Sequence, residues 1–204
     1  MEVLMKFKLF YFVSTIILFA GCGGTTVQRV AVEQVVDYSG RWNDTDAQMV
    51  SKDMIKDCLE GKWLANFTAE KGQQPVVIVG TIENKSSEHI NADVFIKSLE
   101  SELISSGKVR FVADKGERLE VREERKDQQE SGYTDPKTIK PKRKEIGADF
   151  ILKGTINAVV DETHGKYVVL YQVNLELIDL ATNEIKWLEQ TELKKLVTKT
   201  KYSM

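Results

Sequence analysis

Between residues 150 and 193 the chain alternates apolar and polar side chains in three consecutive stretches. In the first, Phe150, Leu152, Ile156, Ala158 and Val160 share the even positions with Gly154. In the second, Tyr167, Val169, Tyr171, Val173, Leu175 and Leu177 share the odd ones. In the third, Ile185, Trp187 and Leu193 are expected on one side. A period of two is the pleat of a half-buried strand, which must cover one face and can leave the other in water. Lys153, Asn157, Gln172, Asn174 and Glu176 occupy the opposite face. The breaks, DETHGK and DLATNEI, hold turn residues and are too short for a parallel crossover. The last third is therefore predicted to be an antiparallel meander.

Upstream the period changes. Ala47, Val50, Met54 and Cys58 follow one face of a helix, with Asn43, Asp44 or Thr45 as its cap. A second apolar stretch at 63–67 continues the helical region until EKGQQP stops it. PVVIVGTI, at 75–82, is a continuous β-branched run and predicts a central strand covered on both faces. After the loop NKSSEHIN, Asn91 is expected to cap a helix with the stripe Phe95, Leu99 and Leu103, flanked by Ile96 and Ile104 and ended by Gly107. KVRFV is a short second strand.

Residues 114–130 are almost entirely charged. Wound as a helix, they put Lys115, Arg118, Arg122, Arg125 and Lys126 on one side and the acidic residues on the other, with only Leu119 and Val121 available for burial. Either a solvated helix or a partner surface fits that pattern. A basic run follows at 137–144, with Lys137, Lys140, Lys142, Arg143 and Lys144; it reads as a solvated face or as a contact for an anionic surface.

The body is long enough for one core and short for two. A net charge of −2, with 42% hydrophobic and 29% charged residues, is ordinary for a globular domain and argues against nucleic acid as a partner. Neither His89 nor His164 has cysteine or acidic partners at metal spacing, and Cys58 on the first helix's apolar face reads as an inert core thiol. No metal or cofactor is expected. No nucleophile elbow, phosphate loop, dinucleotide fingerprint or zinc-protease motif occurs, and the carboxylates fall in surface-like runs.

The amino terminus carries Lys6 and Lys8 and then the uncharged run LFYFVSTIILFA. About 12 apolar residues make roughly 18 Å of helix, short of a bilayer core and typical of a leader. Either Met1 or Met5 is the start. Ala20 and Gly21 precede Cys22, which resembles the bacterial lipobox with Phe19 where leucine is usual. The expected organisation is a lipoprotein signal peptide at 1–21, a short tether at 22–36 beginning with an acylated Cys22, and a globular domain at 37–204. Gly23 after the cysteine favours the outer membrane. Several acyl chains on one residue would hold the domain on a bilayer almost permanently.

The lipobox-like Cys22, DYSGRWND, PVVIVGTIENKSSEHIN, SGKVRFVAD, EIGADFILKGTI and LIDLATNEIKW occur in that order. In this combination the chain resembles the LpoB family of outer-membrane lipoproteins. The resemblance implies a single α+β domain like the N-terminal domain of TolB: a mixed central sheet with a C-terminal antiparallel meander, flanked by helices. It implies a non-enzymatic activator that docks on a small non-catalytic domain of a class A penicillin-binding protein. By the same resemblance, Asn84, Lys85 and Ser86 after the first strand, and Glu184 in the last hairpin, belong to the docking face. The best-known members have a long proline-rich tether; here about a dozen residues follow Cys22, and no proline precedes Pro75. The alternative is an export-associated outer-membrane lipoprotein related to CsgG, which ranks second because no segments remain to build membrane-spanning hairpins.

Overall fold

A computed structural model describes residues 28–31, 34–37, 39–141, 144–163 and 165–198. The expected leader, Cys22, Lys142, Arg143 and His164 lie outside the described residues. The chain divides into two units, Met1–Gln34 and Val35–Met204. In the first, the described residues are exposed coil. Among the described residues no helix is long and apolar enough to cross a membrane.

The second unit is one α+β domain. Its elements are α1 (Asp44–Glu60), α2 (Lys62–Lys71), β1 (Val76–Asn84), α3 (Ala92–Ser106), β2 (Arg110–Phe111), α4 (Lys115–Glu130), β3 (Phe150–Thr163), β4 (Lys166–Asp179) and β5 (Ile185–Thr198). The strands form one sheet in the order β2-β1-β3-β4-β5. β1 is parallel to both β2 and β3, and β3, β4 and β5 are antiparallel, which is the expected meander.

The helix signals work as their chemistry requires. Asn43 accepts from the Asp46 N–H at 3.1 Å while Asp46 Oδ2 accepts from the Asn43 N–H at 2.9 Å, a reciprocal cap on α1. Asn91 caps α3, and Gly107 ends it in the left-handed region. Asp114 and Glu117 form a second reciprocal cap on α4. α1 and α3 pack together, α1 also on β5 and α3 on β1. The core between these helices and the sheet holds Phe95, Leu99, Leu152, Ile156, Tyr171 and Leu175, all fully enclosed. Gly154 occupies an inward position of β3 because there is no room for more: a Cβ there would lie 2.2 Å from the Asn174 carbonyl oxygen. Burial pushes the Cys58 thiol up to about 12 despite a contact from Trp63, so it is a core group, as expected, and not a reactive one.

Three expectations need correction. Ile185 does not share a side with Trp187 and Leu193. A register irregularity pairs it with Ile178, which points to the outer face, and Ile185 is exposed. Ile104 lies on the solvent side of α3. β1 is buried on the helix side at Val77, Val79 and Ile82, but on the other face Ile78 is only half-buried and Thr81 is exposed. α4 is solvated, in keeping with one of its two readings: Leu119 and Val121 are exposed and none of its residues is fully buried.

Candidate functional site

The loop after β1 is built from its own side chains. Asn84 donates through Nδ2 to the Glu88 carbonyl at 2.8 Å, and its Oδ1 accepts from the Ser86 N–H at 3.0 Å and the Ser86 hydroxyl at 2.7 Å. The Ser86 hydroxyl in turn accepts from the Glu88 N–H at 3.2 Å. Asn84 and Ser86 are thus turned inward to shape the loop, as short polar side chains do where backbone groups lack ladder partners. Lys85 is the member that points to solvent. Its N–H donates to the Ile156 carbonyl at 2.8 Å, and its ammonium lies 3.3 Å from Glu83.

Glu184 sits in the β4–β5 turn. Asp179 shapes this turn by accepting from the N–H groups of Ala181 at 2.8 Å and Thr182 at 3.1 Å. Burial opposes ionisation of Asp179, but those two donors, with the Lys186 ammonium and the Thr182 side chain, outweigh it and hold the carboxyl below its ordinary value. Glu184 contacts Lys186, whose ammonium holds its carboxyl low as well. Beside the turn lies a groove of about 540 Å³ between α2 and the hairpin. Its floor is aromatic: Trp63 and Phe67 meet Phe150 edge-on at 5.0 Å and 5.3 Å. Glu70, Lys71 and Asp149 line its rim.

The register separates these two places. Asn84 is level with Ile156, Ile156 with Val173, and Val173 with Thr191. Glu184 lies about seven residues further along β5 and three strands across, roughly 25 Å from Asn84. The loop and the turn are therefore not one pocket.

A polar cluster that the sequence pattern does not single out ties the DYSGRWND segment to the sheet. Lys195 reaches Asp37 at 2.7 Å, Asp46 at 2.5 Å and the Arg41 carbonyl at 3.0 Å. The side chains of Lys195 and Asp46 are only 10% and 7% exposed. Burial alone would lower the Lys195 pKa; the two carboxylates more than offset that and raise it, and Asp37 is held low in return. Glu88 accepts from the Tyr171 hydroxyl at 2.7 Å and from the Trp42 N–H at 3.3 Å. The Tyr167 hydroxyl donates to the Ser39 carbonyl. Gly40 has φ of 69°, and a Cβ there would fall 2.0 Å from Val197, so the segment passes where only glycine fits. A signal existed for two members: Lys195 is a charge on the inward positions of β5, and Tyr171 is a hydroxyl on an apolar face that needs a partner. Nothing local marks Glu88.

Among the described residues no group of three His, Cys, Asp or Glu side chains is placed to hold a metal ion.

A family model described as peptidoglycan-synthase activator LpoB matches residues 46–193. No curated protein matches the chain. Among solved structures, the LpoB C-terminal domain from Escherichia coli is similar at 16% identity over 72% of this chain and 98% of that one, with a TM-score of 0.41. The LpoB C-terminal domain from Salmonella enterica is similar at 18% identity over 65% of this chain and 93% of that one, with a TM-score of 0.33. The lipoprotein GNA1162 from Neisseria meningitidis is similar at 13% identity over 61% and 84%, with a TM-score of 0.37.

Proposed function

Because the chain belongs to the LpoB family of peptidoglycan-synthase activators, we propose that it is a lipid-anchored regulator that binds and activates a class A penicillin-binding protein without catalysing a reaction itself. The observation that carries this reading is the family match, which runs from the first turn of α1 to the last third of β5. In this reading Cys22 bears the acyl chains, and the protein lies on the periplasmic face of the outer membrane. Activation is a shift in population: the lipoprotein binds the active state of the synthase better than the inactive one.

Lys85 supplies a cation and Glu184 an anion to the partner. Asn84 and Ser86 act through the loop conformation that presents Lys85, since their polar atoms are already engaged with each other and with Glu88. Two charges roughly 25 Å apart fit a partner of domain size, not a short peptide.

The test combines pull-down of the detergent-solubilised full chain against the periplasmic regions of class A penicillin-binding proteins with a glycan-polymerisation assay. Binding to one synthase and a faster polymerisation rate are expected. Absence of both would overturn the reading. Lys85→Glu and Glu184→Lys should each weaken binding with an unchanged circular dichroism spectrum, and unchanged affinity would reject these two residues as contacts. Cys22→Ser should move the protein from membranes to the soluble fraction; a variant still on membranes would reject the anchor.

A further inference from the structure

The sheet has two unlike edges. At one, β2 is only Arg110–Phe111. At the other, β5 runs the 14 residues Ile185–Thr198 with no proline or glycine, and among the described residues nothing pairs with it on its outer side. A long edge of this kind is a template for another strand, and proteins that avoid such pairing shorten, bulge or cover the edge. The irregularity in β5 falls at its start, between Ile185 and Trp187, and the register from Trp187 to Thr198 is unbroken.

The ladder fixes which groups face outward. The Lys85 N–H bonds the Ile156 carbonyl, so even residues of β3 direct their backbone groups to β1 and odd residues to β4. Thr155 is paired with Asn174 and Tyr171 with Leu193, so odd residues of β5 bond β4 and even residues face the open edge. Leu188, Gln190, Glu192, Lys194, Leu196 and Thr198 thus turn N–H and C=O groups to an edge that no described strand pairs. Their side chains stand on the outer face, where Leu188 is 60% and Leu196 is 70% exposed.

We infer that this edge is self-complementary: two copies of the chain pair their β5 strands antiparallel about Leu193, joining two five-stranded sheets into one. The charges select that register. About Leu193, Glu192 opposes Lys194 of the other copy twice over, Gln190 opposes Leu196, and no like charges meet. Centring the pair on Glu192 or on Lys194 sets two identical charges face to face, which is destabilising, and centring it on Thr191 brings no opposite charges together. The inference does not depend on the proposed function.

The test uses the full chain in intact cells under mild oxidation. Glu192→Cys and Lys194→Cys, expressed together, should give a disulfide-linked dimer, because directly opposed residues lie within disulfide reach. Each variant alone should give no more than the parent chain, because its own copy lies on the diagonal, beyond that reach. A dimer from Glu192→Cys alone would overturn the register, and no dimer from the mixture would overturn the pairing. In sedimentation of the detergent-solubilised chain, Glu192→Lys should weaken self-association roughly tenfold by removing both symmetric pairs, and adding Lys194→Glu should restore it. Both positions are exposed, so the fold is retained in each variant. Equal self-association in the parent, the single and the double variant would overturn the inference.

Discussion

Two ion-pair clusters in this domain are near mirror images, and they differ in what they support. At Lys195 one cation meets two carboxylates, Asp37 at 2.7 Å and Asp46 at 2.5 Å. At Glu145 one carboxylate meets two guanidinium groups, Arg122 at 2.6 Å and Arg125 at 3.2 Å. The first is inside at Lys195 and Asp46, 10% and 7% exposed, and reaches the surface only at Asp37; the second has no buried member, with Glu145 29% and Arg122 49% exposed. In water such pairs are worth little, whereas a buried charge stripped of its partner is expensive. The inner cluster therefore locks the 37–46 segment to β5. The outer one, with Lys97 bridging Glu117 at 2.6 Å, straps to the body a helix none of whose residues is fully buried.

The comparison breaks first at Lys195. Lys195→Ala leaves Asp46 buried without its cation and should cost about 3–5 kcal/mol in urea or thermal unfolding. A loss below about 1 kcal/mol would show that the inner cluster is solvated after all. Lys195→Ala with Asp46→Asn and Asp37→Asn removes the stranded charges and should recover part of the loss in the same measurement.

At Glu145 the expected effect is local. Glu145→Gln should leave the global unfolding midpoint nearly unchanged while amide exchange across 115–130 accelerates. Unchanged exchange there would mean that something other than these ions holds α4.

Acid should act on the two clusters in a fixed direction. The Arg122 guanidinium, against desolvation and with help from Arg125, holds Glu145 down at about 2. A carboxyl depressed in the folded state contributes above its unfolded value and loses that contribution as pH falls toward the folded one. The strap on α4 should thus weaken between about pH 4.5 and pH 2. In the inner cluster Lys195 is raised and Asp37 depressed, so the lysine's contribution is lost as pH climbs above the ordinary lysine value and the carboxyl's as pH falls below the ordinary carboxylate value. The smallest expected effect is that of salt. Raising sodium chloride from 0.1 M to 1 M cuts the screening length from about 10 Å to about 3 Å and should speed exchange in α4 while leaving the 37–46 segment protected.

Much of this was legible in the chain. The stripes Ala47, Val50, Met54, Cys58 and Phe95, Leu99, Leu103 are buried as their spacing required, and Val169 to Leu177 at odd positions line the core. These readings held because burial of one face is a local property of a periodic sequence. Ile185 and Ile104 failed for opposite reasons. A one-residue irregularity reverses every side chain beyond it and has no sequence mark, and the width of the covered stripe on α3 depends on what packs beside it. At the candidate site, Lys85 and Glu184 stand on loops as expected, but their separation along the sheet is a matter of register, which no spacing in the sequence carries.

By itself the sequence determined the elements, their order and the faces they bury, because propensity, capping and alternation act over a few residues. It also carried the family resemblance, which rests on an ordered set of short stretches. Tertiary structure alone decided which of two three-charge clusters is buried, how Asp37, Asp46 and Glu88 meet partners more than eighty residues away, and which strand was left at an open edge. The worth of a charge depends on the dielectric around it, and that is set only when distant parts of the chain close over it.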